Sequence, residues 1–177
     1  DQLIGTNVLI TIENPSESLY VNIPGGQLNI YQPLNTELEF NNTGPIRGVQ
    51  LDIIIDNRFS IELESILYSE RINEFNKSFN EISPSVYRVL IYSTSGWLIA
   101  PGNGNLISFE ISTNSRDVGS YPIVIGNYEF IDNNNNPISA QVSSGTLNIL
   151  DNSLSFPNSI DLGIISTGNE VIFSVPL

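Results

Sequence analysis

Three features of this sequence predict an all-β fold in which two antiparallel sheets close on each other as a jelly-roll sandwich. Apolar residues recur at every second position through most of the 177 residues, the spacing that gives a strand one greasy face. These runs are rich in Ile, Val, Leu, Phe and Tyr, which pack well on a pleated surface. Clusters of Gly, Pro and Asn separate them at intervals of about 8–12 residues, the rhythm of a sandwich.

The elements follow in order. In "GVQLDIIID", Leu51, Ile53 and Ile55 alternate with Gln50, Asp52 and Ile54. In "SIELESI", Ile61, Leu63 and Ser65 alternate with Glu62, Glu64 and Ile66. Val89, Ile91 and Ser93 alternate with Arg88, Leu90 and Tyr92; Ile107, Phe109 and Ile111 alternate with Ser108, Glu110 and Ser112. Each run reads as a half-buried strand. Turns are expected at Pro24-Gly25-Gly26, Asn41 to Pro45, Pro101 to Gly104 and Asp132 to Pro137, because these residues tolerate positive φ or fix it. Asp56-Asn57 suits an Asx turn, and Gly145 suits a bend or bulge where a strand begins. Between Glu70 and Asn80 a helix would place Ile72, Phe75 and Phe79 on one face. A loop or irregular strand is the default reading there.

Composition removes many activities. The chain has no histidine and no cysteine, so thiolate catalysis, imidazole bases, His/Cys zinc sites and iron–sulfur ligation are excluded. Nineteen acidic residues against six basic ones give a net charge of −13. Nucleic acids and anionic membrane surfaces both require clustered Lys and Arg, and the basic residues here are scattered. No apolar run approaches the ~20 residues that span a bilayer. The acidic, Asn- and Ser-rich composition suits an extracellular or cell-surface protein, and the length is enough to bury a core without disulfides.

Candidate sites are few. Glu37 with Glu39, and Glu62 with Glu64, share a strand face. A glycosidase needs two carboxylates across a cleft, one of them buried, whereas these point to water, and no enzyme is expected. Trp97, in "TSGWLIAPGNG", is the only tryptophan and the candidate platform for a sugar ring, with Tyr87, Tyr92, Tyr121 and Tyr128 as further rings; a carbohydrate-binding module is thus one alternative. Asp132 to Asn136 offers one carboxylate and several amide oxygens, which suits calcium, although an Asn-rich hairpin turn explains the same residues. No other metal or cofactor is expected. Asn41 and Asn76 begin N-x-(S/T) sequons.

Four pieces between about Leu28 and Ile149 follow one another in order: "PLNTELEFNNTGPIRGVQLDIIID", "YRVLIYSTSG", "GNGNLISFEIS" and "VGSYPIVIGNYEFIDNNNNPISAQVSSGTLNI". Together they resemble a cohesin-type module, within the jelly-roll group that includes several cellulose-binding modules. The resemblance implies a β-sandwich over 19–150 that works by protein recognition in adhesion, scaffolding or surface assembly. Family members bind a dockerin partner through one sheet face, using the early strand and the central strand with its following turn. Carried over by position, that face includes Gln50, Asp52, Leu90, Tyr92 and Ser93.

The ends read as linking strands, 1–18 and 151–177. The C-terminal one resembles the opening of an immunoglobulin-like surface-protein module: "SLSF", a turn at Ser166-Thr167-Gly168, then Val171, Phe173 and Val175 in alternation. If such a strand adds to a neighbouring copy, the chain becomes a filament subunit that polymerises by strand donation, with Val171, Phe173 and Val175 as the exchanged residues.

Overall fold

The computed structural model describes residues 18–150. The expected linking strands, 1–18 and 151–177, lie outside the described residues apart from Ser18. So do Val171, Phe173 and Val175.

Eleven strands are present among the described residues: β1 (Leu19–Asn22), β2 (Gly26–Leu28), β3 (Leu34–Asn42), β4 (Ile46–Ile54), β5 (Phe59–Tyr68), β6 (Asn76–Ser83), β7 (Val86–Tyr92), β8 (Asn105–Thr113), β9 (Gly119–Asp132), β10 (Gln141–Ser143) and β11 (Gly145–Ile149). They form a five-stranded sheet, β10-β1-β3-β8-β5, and a six-stranded sheet, β2-β11-β9-β4-β7-β6. The predicted sandwich is present, with a core between the layers. Phe79 packs at a tilt against Phe109 with ring centroids 5.5 Å apart, and Phe40 against Phe130 at 6.2 Å. Val49, Leu51 and Ile53 of β4 and Val89 and Ile91 of β7 point into this layer, all buried.

The strand pairing is antiparallel as expected except at two places, one in each sheet. β1 runs parallel to β10, and β2 parallel to β11. Two stretches of chain, 19–28 and 141–149, therefore travel side by side and pass together from one sheet to the other. The crossing requires glycine twice. A Cβ on Gly25 would lie 2.0 Å from the Thr146 carbonyl oxygen, and one on Gly145 2.2 Å from the Gly25 nitrogen. Gly145 does begin a strand as expected, and close backbone approach is the reason for it.

Two local stretches bear on the strand readings, the first in line with its default and the second not. Between Glu70 and Asn80 the chain makes one 3₁₀ turn, Glu70–Ile72, and then strand β6. Ile72, Phe75 and Phe79 are all buried, without a helix. In β5 the alternation breaks: Glu62 pairs with Glu110, but the next pair is Leu67 with Ser108, so 63–66 loop out and Leu63 is exposed. Ser65 closes the gap, its Oγ accepting the Glu110 N–H at 2.8 Å and donating to the Glu62 carbonyl at 2.6 Å. The Asx turn is formed as predicted, with Asp56 Oδ1 accepting the Arg58 N–H at 3.0 Å.

Candidate protein-interaction face

The outer face of the six-stranded sheet is built where strands carry apolar residues at both parities. Such continuous apolar runs mark strands that are covered on two sides. In "YRVLIY", Val89 and Ile91 face the core, so Leu90 and Tyr92 face outward; in "LDIII", Ile54 does the same. Strand pairing sets these residues in rows. Ile131, Gly48, Tyr92 and Asn76 form one row, and Glu129, Gln50, Leu90 and Ser78 the next. Gly126, Asp52, Arg88 and Asn80 form the third; Val124, Ile54 and Val86 form the fourth. A shallow depression of about 160 Å³ lies over the first two rows, lined by Gly48, Gln50, Leu90, Tyr92, Glu129 and Ile131.

Polar groups in the third row are tied to one another. The Asp52 side chain is only 1% exposed. Its Oδ1 accepts Arg88 Nε at 2.7 Å, and its Oδ2 accepts Arg88 Nη2 at 2.9 Å and Asn127 Nδ2 at 2.9 Å. The Arg88 hydrogen bond, more than the opposing cost of burial, holds the Asp52 carboxyl below the usual carboxylate range. Asn127 reaches it from a bulge in β9, where the register shifts between Gln50 and Asp52 and Asn127 adopts φ +43°.

Gln50, Asp52, Leu90 and Tyr92 therefore share one face, with Gln50 directly opposite Leu90. Ser93 does not join them. Strand alternation turns it inward just past β7, where it is buried and its hydroxyl finds no hydrogen-bond partner among the described residues. Sequence reasoning missed Arg88, Asn127, Ile54 and Ile131. The apolar residues were signalled by their outward parity, but nothing local marks the Arg88–Asn127 contacts with Asp52.

No known family model matches the sequence, and no curated protein does. Solved structures do match. A non-cellulosomal cohesin from the archaeon Archaeoglobus fulgidus aligns over 76% of this chain and 92% of its own, at 13% identity and a TM-score of 0.65. The CaCohA2 cohesin of Clostridium acetobutylicum aligns over 77% and 94%, at 14% identity and 0.66. A type I cohesin–dockerin complex of Clostridium thermocellum, Coh-OlpC, gives 78% and 97%, at 18% identity and 0.64. The chain has a cohesin fold.

Other candidate residues occupy scattered places on this cohesin-type sandwich. Trp97 is 53% exposed, on the loop after β7, next to Leu98 at 38%. That loop leaves from the Tyr92 end of the face and is pinned at Ile99, which exchanges backbone hydrogen bonds of 3.1 and 2.7 Å with Ile46. The four tyrosines do not line up with Trp97 in one row. Tyr87 is in the core, Tyr121 packs on Phe59 and under Arg58, and Tyr128 stacks on Phe130. Asp132 caps its hairpin, Oδ1 accepting the N–H groups of Asn134 at 2.7 Å and Asn136 at 2.8 Å. Those bonds hold its carboxyl below the usual range. The turn reading accounts for these bonds. Glu37, Glu39 and Glu62 lie on the opposite side of the molecule, where Asn105, Asn22 and Ser112 bond them.

Proposed function

We propose that this chain is a non-catalytic protein-binding module, of use in adhesion, scaffolding or assembly outside the cell or at its surface. Its partner docks on the outer face of the β6-β7-β4-β9 sheet. One observation carries the reading. Leu90, Tyr92 and Ile131 face outward in two adjacent rows around Gln50, Ile54 faces outward beyond the Asp52–Arg88 row, Asn76 and Asn80 stand at the β6 edge, and no described element packs over them. Outward apolar residues left uncovered among polar ones are the mark of an interaction surface. The solved neighbours add to this, since several are complexes of a cohesin with a dockerin, and a dockerin-like module is the partner class we assign. The buried carboxylates support the absence of catalysis, because Asp52 and Asp132 both spend their oxygens on structural hydrogen bonds.

A displayed library of dockerin modules, panned on the full chain, tests the proposal. Binders are expected, and Leu90→Asp should weaken them at least about a hundredfold by placing a charge in the desolvated centre, with circular dichroism unchanged. Binders that ignore Leu90→Asp, or no binders at all, would overturn it.

A further inference from the structure

The middle of this face holds a carboxylate that is closed to a partner and a guanidinium that is open to one. Asp52 accepts three hydrogen bonds from Arg88 and Asn127 and is buried beneath them. Arg88 meets Asp52 side-on through Nε and Nη2, and its side chain stays 39% exposed. Nη1 has no acceptor among the described residues. A guanidinium is planar and rigid, so fixing one edge fixes where the other edge points. Asn127 completes the fixing from φ +43°, a conformation that costs a non-glycine residue energy and tends to be kept where a function needs it.

We propose that Arg88 is a specificity-determining residue that donates from Nη1 to a neutral acceptor on the partner, a hydroxyl or side-chain amide oxygen. Asp52 and Asn127 are its positioning residues. This rests on the face assigned above and names the partner chemistry at its centre. The acceptor is neutral because the Arg88–Asp52 pair has no net charge, Glu129 lies on the same face, and the whole chain carries −13. A partner carboxylate would be repelled overall and would gain only one edge of a guanidinium already neutralised. An apolar partner group would leave Nη1 buried without an acceptor.

Binders selected from the displayed dockerin library, on the intact chain and on Arg88→Leu, test this. On the intact chain they should converge on Ser, Thr, Asn or Gln at one contact position. That preference should vanish on Arg88→Leu, and Arg88→Leu should weaken binders raised on the intact chain about tenfold. Arg88→Lys keeps a cation over Asp52 but has no second planar edge, so it should lose the same preference. It serves as the readout if the Leu variant fails to fold. Convergence on Asp, Glu or an apolar residue, or an unchanged preference on both Arg88 variants, would overturn the inference. Loss of binding in Leu90→Asp with no change in either Arg88 variant removes only the acceptor rule. Binding that survives Leu90→Asp removes the face itself.

Discussion

The two outer faces of the sandwich arise from the same period-two spacing, yet they are chemical opposites. On the five-stranded sheet, Glu37, Glu39, Glu62 and Glu110 stand among Asn22, Asn35, Asn105, Ser60, Ser108 and Ser112. On the six-stranded sheet, Leu90, Tyr92, Ile131, Ile54, Val86 and Val124 surround one internally paired ion pair. Removing water from the first face would strip several carboxylates of hydration with nothing to repay it. Removing water from the second costs less, because its one buried charge is already paired and Glu129 is the only other carboxylate among the rows described above. The core therefore does not decide which side of such a fold can work. The decision lies with residues at the outward parity, which folding leaves free to vary.

If that is right, neighbouring residues of β7 must differ sharply in what they contribute to stability. Ile91 is fully buried, and Leu90 lies on the outer face. Ile91→Ala should cost about 2–5 kcal/mol, whereas Leu90→Ala should cost less than about 1 kcal/mol. Urea unfolding of the two variants measures both. Equal losses would make the outer face a second structural layer, and the contrast between the faces would collapse.

Arg88→Ala should lower the urea midpoint, because it removes two of the three hydrogen bonds to the buried Asp52 carboxylate, though by less than Ile91→Ala, since Arg88 is partly exposed and water can replace it. On the opposite face, Glu39→Ala removes a bond to Asn22 at the surface and should shift the urea midpoint by less than half as much.

Acid should separate the faces as well. The Asp52 carboxyl is held below its unfolded value, near 3.8, chiefly by the Arg88 hydrogen bond. Depression of this sign stabilises the fold above the unfolded pKa and is lost as pH falls through the folded one. Asp56 and Asp132 act in the same direction through their turn hydrogen bonds. Stability should therefore fall as pH drops below about 4. In Asp52→Asn the fall should be shallower, which urea midpoints taken across that range would show.

What the sequence discloses follows from the range of the physics. Alternation is local, so the strands, the turn at Asp132 and the Asx turn at Asp56 can be read directly. Register and parallel pairing are not local. Nothing near Leu19 or Gln141 announces that β1 and β10 run parallel, although Gly25 and Gly145 mark where their continuations touch. The looped-out 63–66 segment hides for a similar reason: Leu63 continues the alternating pattern, and only the Ser65 bonds to Glu62 and Glu110 show that the ladder skips it. At the face, Gln50, Asp52, Leu90, Tyr92 and Ser93 come from the family resemblance by position; the first four share the outward parity, whereas Ser93 has the inward parity of Val89 and Ile91 and is buried. Arg88 was invisible as a site residue, since its meaning depends on Asp52 lying beside it across two strands.

The smallest effect tests why the acidic face stays in water. Glu62 and Glu110 are direct cross-strand partners, and like charges in that relation repel. Ser112 Oγ donates to Glu62 Oε1 at 2.6 Å, which shields the pair without removing either charge. Glu62→Gln keeps an oxygen that can accept this bond and deletes the repulsion, so it should stabilise by up to about 0.5 kcal/mol at low salt. The gain should shrink in about 1 M salt, where the screening length falls to about 3 Å. Thermal melts of the variant at the two salt concentrations decide it. A gain that persists unchanged at high salt would mean that packing, and not charge, separates this face from the one proposed to bind.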